Sequence, residues 1–246
     1  MNKNKGDASL FLSTGQGSGM TTGRSRAPVG LTREDVVGGA LALVDEVGLD
    51  GFSVRALAKR MGVYPTALHW HAGSRTELLA LVVSEVARSV RVPEDDDWEG
   101  FVRGLAAEFR ATLHAHPAVV PVFVTTVVNA TPALPAVDRL LAHLEAAGFA
   151  GAELREVYNA VIGAVVGFIG VELAEVPAED RGAWAQRFSA DLDGVDAGAY
   201  PALARNLPDL RNRAFMTRWE GGRTRPMDAA WDVLLDVLVA GVRARL

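Results

Sequence analysis

Residues 51–71 constrain this chain more than any other stretch. Val54, Leu57, Ala58 and Met61 recur at the spacing of one apolar helical face. Ser53 stands just before that face, where a hydroxyl can cap the first turn. Gly62 follows Met61, where a helix ends in the left-handed conformation that glycine tolerates, and Val63 can plug the turn behind it. A second short helix opens near Pro65, a residue suited to a first helical turn. Short helix, glycine turn, short helix is the layout of a helix-turn-helix, whose second helix enters the DNA major groove. A generic helical hairpin shares that layout, so the flanks decide.

Upstream, Thr32 can cap a helix running to Val47, with Asp35 completing a variant capping box. Its apolar set is Val36, Val37, Ala40, Leu41, Val44 and Val47. Downstream, Ser74 and Glu77 form a full capping box ahead of Leu78, Leu79, Leu81, Val82 and Val86. Four helices therefore occupy residues 32–90, the middle pair shortest. This layout, together with Leu57-Ala58, Met61-Gly62-Val63, Leu68, Trp70-His71, Ser74 and Leu78-Leu79, resembles the DNA-binding domain of the tetracycline-repressor (TetR) family.

The rest of the chain reads as all-α. Residues 1–30, rich in Gly, Ser and Thr, are expected to be a disordered, mildly basic arm. Residues 31–91 form the helix-turn-helix domain, and Pro93 with the acidic run after it marks a boundary. Residues 97–246 form a helical ligand-binding and dimerisation domain. Its segments are 98–115, a short buried helix within 118–128, 135–147, a long helix over 152–176, a piece at 184–192, a turn or two within 209–219, and a closing helix over 228–246. Phe109-Arg110, His116, Leu140, Leu144, Gly148-Phe149 and the closing helix resemble the regulatory half of the tetracycline repressor's own branch.

Charge and composition agree with this reading. Residues 1–91 carry 11 Lys/Arg against 8 Asp/Glu, and residues 92–246 carry 14 against 22. A basic front suits a protein that meets phosphate with one end. The chain has no cysteine, which excludes disulfide and thiolate chemistry. No uninterrupted apolar run reaches the ~20 residues that cross a bilayer, and no signal peptide is visible. The expected setting is the cytoplasm, with no membrane partner.

The resemblance implies that Tyr64, Pro65, Thr66, His69 and His71 face DNA, that Arg55 reads a guanine, and that Arg75 grips phosphate. A bidentate arginine–guanine contact discriminates by ~1–3 kcal/mol. Leu68 and Trp70 read as packing residues. The chain departs from the family pattern at Pro65, Ala67 and His69, where lysine, threonine and tyrosine are usual, so its operator is expected to be unusual.

In the rear half, Phe109, Leu113, Phe123, Val127, Leu144, Tyr158, Ile162, Val165 and Trp184 read as an apolar pocket wall, with His114, Thr126 and Asn129 as polar groups that could orient a ligand. The repressor's magnesium-binding histidine would fall near Phe123, so no metal or other cofactor is expected. The two His-x-His pairs, His69/His71 and His114/His116, point apart on a helix and do not suit a metal. Gly163, Gly167 and Gly170 line a small-residue stripe on the long helix, which suits close helix packing, either within the chain or, as the resemblance implies, against a second copy.

The expected protein is a dimeric, ligand-responsive repressor of a palindromic double-stranded DNA operator, released by a small hydrophobic effector. The alternatives are an all-α enzyme using His114 or His116, and a binding protein that sequesters a small molecule without regulating genes. No nucleophile–base pair supports the enzyme.

Overall fold

The computed structural model of the protein describes residues 30–95, 97–125, 131–174 and 181–246. Among them there is no strand. The helices are α1 (Arg33–Gly51), α2 (Val54–Met61), α3 (Pro65–Ala72), α4 (Arg75–Ser89), α5 (Trp98–Ala115), α6 (Val120–Thr125), α7 (Leu134–Ala147), α8 (Gly151–Glu172), α9 (Arg181–Asp193), α10 (Pro201–Leu210) and α11 (Asp228–Arg243). Short 3-10 turns cover Pro117–Val119, Thr131–Ala133 and Phe215–Thr217. The 1–30 arm lies almost wholly outside the described residues.

Local chemistry sets the front boundaries. The Asp35 N–H donates to Thr32 Oγ1 (3.1 Å) while the Asp35 carboxylate accepts from Thr32 N (2.9 Å). Ser53 Oγ accepts from Ala56 N at 3.1 Å. Gly62 sits at φ 67°, and Val63 N donates back to Ala58 O (3.0 Å), the bonding of a Schellman cap. Ser74 and Glu77 exchange both bonds of a capping box, at 2.7 and 3.2 Å. One boundary differs: α1 runs past Val47 to Gly51, across a break at Gly48 (φ 72°), and Val47 is exposed while Leu43 takes the core position.

Two apolar clusters organise the interior. The first joins the front and rear halves: Val36, Val44, Leu57, Leu68 and Leu78 share it with Leu113, Val119, Ile169 and Trp231. The second, at the far end, holds Phe101, Leu140, Leu144, Phe149, Val157 and Val242. Helix α8 belongs to both. Its length and composition would suit a membrane span, but Val157, Val161, Val165, Phe168 and Ile169 are buried in these clusters.

The rear differs from the sequence reading in one place. The helix expected near 209–219 lies mostly earlier, as α10, opened by Pro201 at its first position; only its last two residues and the Phe215–Thr217 turn fall in the expected range. The short helix expected within 118–128 is α6, preceded by a 3-10 turn.

Candidate functional site

Helix α3 turns Leu68 and Ala72 inward and leaves Tyr64, Pro65, Thr66 and His69 exposed, with His71 half-buried. Trp70 departs from the packing role expected of it. It is 90% exposed, because it lies two residues from both Leu68 and Ala72 and so on the opposite face. The spacing alone held that signal. Arg55, on α2, is exposed and makes no hydrogen bond or ion pair among the described residues.

Two residues are constrained in ways the sequence did not reveal. His69 Nδ1 lies 2.8 Å from Gly73 O, so that nitrogen carries the proton and donates. A neutral His69 therefore offers only an acceptor at Nε2, and it can donate to a phosphate only when protonated. Arg75 donates through Nη2 to Leu49 O (2.8 Å) and through Nε to Phe52 O (3.3 Å), with its guanidinium over the Phe52 ring. It braces the α1–α2 junction, where a phosphate grip alone had been expected.

The rear half holds a cavity of about 500 Å³ between the two apolar clusters. Val102, Leu105, Ala106 and Phe109 of α5, Phe123 of α6, Val137 and Leu140 of α7, and Tyr158, Ile162 and Val165 of α8 line it. Phe109 and Phe123 meet edge to face at 5.2 Å. Ala87 and Val90, at the end of α4, complete the wall. Tyr158 and Thr131 supply its hydroxyls.

Several expected wall residues lie elsewhere. Leu113 is one turn beyond the cavity and fully buried in the first cluster, and Leu144 is fully buried in the second. Trp184 stacks on Phe188 within α9. Val127, Thr126 and Asn129 fall outside the described residues. His114 is engaged away from the wall, 3.1 Å from Glu172.

That Glu172 is the centre of a buried ion cluster. Its side chain is fully buried, receives Arg110 through Nε (3.0 Å) and Nη2 (2.6 Å), and accepts the Met227 N–H at 2.8 Å. Arg110 also reaches Asp228 (2.8 Å) and lies over the Trp231 ring. Burial alone would raise the Glu172 pKa, but the bonds from Arg110, Met227 and His114 outweigh it and hold the pKa at about 2. The cluster ties α5, α8 and α11 together. His116 makes a separate link, with Nδ1 2.8 Å from Asp45 of α1.

Parts of α8 and α11 remain uncovered. A Cβ added at Gly163 or Gly167 would meet nothing within 4 Å, and Val233 and Val237 of α11 are 60% and 66% exposed. Gly170 differs from its two stripe-mates, since a Cβ there would lie 3.0 Å from Val124 of α6.

Comparison with known proteins agrees with this architecture. Residues 36–82 match the family described as bacterial regulatory proteins, tetR family, and residues 92–246 match the tetracyclin repressor-like C-terminal domain. The chain is 33% identical over 219 residues to the tetracycline repressor protein class C of Escherichia coli, covering 86% of this chain and 90% of that one. It is 31% identical over 191 residues to an HTH-type transcriptional regulator of Saccharopolyspora erythraea, covering 75% and 78% of the two chains. The crystal structure of the TetR family protein ActR of Streptomyces coelicolor in complex with (S)-DNPA superposes with a TM-score of 0.69 at 23% identity, covering 88% and 98%.

Proposed function

Because this chain belongs to the TetR family of bacterial transcriptional regulators, a DNA-binding family of repressors and not of enzymes, we propose that it binds a palindromic operator as a homodimer in the cytoplasm and releases it when a small apolar molecule enters the cavity. Arg55, Tyr64, Pro65, Thr66, His69 and His71 are the proposed DNA contacts, and the exposed Trp70 joins them. Arg75 is proposed to hold α2 and α3 in register, with any phosphate contact secondary. The uncovered parts of α8 and α11 support the dimer, since apolar side chains and bare glycines suit close helix packing.

One observation carries the mechanism. Helix α4 begins at Arg75, against the α1–α2 junction, and the chain leaving its last turn lines the cavity with Ala87 and Val90. Its 15 residues span about 22 Å, so an occupant at one end is connected to the reading head at the other. An effector can shift the equilibrium only by binding the DNA-free arrangement better. The wall chemistry supports an apolar effector, oriented by Tyr158 and Thr131 and held without a metal. Ile162→Trp would fill the cavity and leave the head untouched. A DNA-release titration is expected to show wild-type operator affinity with lost induction, and unchanged induction, or release that requires magnesium, would overturn this placement.

A further inference from the structure

A second cavity, of about 230 Å³, shares no residue with the apolar one. Its wall comes from the segment between α10 and α11 and from the first turn of α11, and three of its residues are arginines: Arg213, Arg218 and Arg225.

Arg218 is the informative one. Its Nε donates to Glu220 O (2.8 Å), and its Nη1 lies 2.8 Å from the Met227 sulfur. Its Nη2 is buried and has no acceptor, which is true of no other side-chain nitrogen or oxygen among the described residues. A buried charged donor without an acceptor is costly, and it leaves the Arg218 charge only partly compensated beside the cavity. Arg213 is exposed and has no acceptor among the described residues, while Arg225 comes no closer than 3.7 Å to Glu220.

Of the nearby carboxylates only Asp228 lines the cavity, opposed there by three arginines, and each carboxylate has a partner. Asp228 accepts from Arg110, Glu220 accepts from Asn212 Nδ2 (2.9 Å), and Glu172 is enclosed in its own cluster. The cradle is also held in shape. Asn212, buried at φ 54°, accepts the N–H groups of Trp219 and Glu220 through Oδ1 at 3.0 and 3.1 Å. Ala229 and Ala230 form the opposite wall, in a first turn that no side chain caps.

We propose that this cavity binds a small oxyanion, of the phosphate or carboxylate class, bridging Arg213, Arg218 and Arg225. Arg213 and Arg225, both exposed, offer it their guanidinium donors, and the Arg218 charge lies beside it. The anion also ties the loop to the start of α11.

Calorimetric titration of the full chain, without DNA or effector, tests this. Sodium phosphate and sodium acetate are titrated separately into chloride buffer at constant ionic strength. One saturable site is expected, with affinity reduced about tenfold in Arg213→Ala and in Arg218→Met and unchanged in Arg223→Ala. Arg213 is exposed, so its variant carries the test even where Arg218→Met fails to fold. Whichever anion shows this pattern identifies the class. No saturable binding of either anion, or equal binding by wild type and Arg213→Ala, overturns the proposal.

Discussion

The reading head and the regulatory half are held together by different physics. In the head, local devices set half of the helix ends: Thr32 with Asp35, Ser53, Gly62, and Ser74 with Glu77. Each is a small contribution from residues three or four apart. In the rear half, one buried ion cluster joins residues 62 and 118 positions apart, Glu172 and Asp228 to Arg110. A head built from many small local terms tolerates the loss of any one. A rear whose one fully buried carboxylate depends on a single cluster tolerates the loss of that partner less well.

The largest expected effect follows from that cluster. Arg110→Met leaves Glu172 buried without its bidentate partner and is expected to cost ~3–5 kcal/mol, read by chemical denaturation. A loss near 1 kcal/mol would mean the cluster is no stronger than a helix cap.

Acid should expose the same difference. The Glu172 pKa is lowered in the folded chain, from 4.5 to about 2, so its stabilisation is complete above the unfolded value. It is lost as pH falls from 4.5 toward 2, by ~3 kcal/mol in all. Glu172→Gln should flatten that stretch of the stability–pH curve. A curve equally steep in the variant would move the acid sensitivity elsewhere.

A smaller effect is expected at the DNA. Arg55→Ala should lose ~1–3 kcal/mol of preference at one guanine per half-site with little change in folding, since Arg55 is exposed and makes no hydrogen bond or ion pair among the described residues. Binding measured on single-base operator variants checks this; unchanged base preference would remove Arg55 from the reading set. Smallest of the four, Ser74→Ala should cost ~1 kcal/mol of thermal stability. A cost of several kcal/mol would show that the head, too, depends on a single point.

The same contrast explains what the sequence made legible. Caps and glycine turns are written in neighbouring residues, so the front helices could be placed to within a few residues. Helix α10 was missed although Pro201, Leu203 and Leu207 carry its signal, because the surrounding glycines and prolines read as loop. The Glu172 cluster was invisible, since nothing in a glutamate near the end of an apolar helix announces partners on two other helices. Of the cavity wall, Phe109, Phe123, Tyr158, Ile162 and Val165 are legible as apolar residues of three rear segments, while Leu113 and Leu144 show that facing inward does not distinguish a wall from a core. The contributions of Ala87 and Val90 depend on where α4 ends in space, which no local pattern records. Trp70 failed for a simpler reason: its size suggested packing while its position on α3 pointed outward.

Gly73 stands between the reading helix and α4, at φ 68°, and any Cβ there would fall 2.3 Å from the Glu77 carboxylate that closes the next capping box. The joint is thus fixed by a residue that never needs to touch a base. Residues on the outer face of α3 are free to diversify around it. On the proposed reading, new operators are reachable by changing Tyr64 or Thr66 one at a time, without re-solving the geometry that presents them, whereas His69 is tied to the joint through Gly73 O. Gly73→Ala would close that route at a stroke, since it strains the hinge on which every such variant relies.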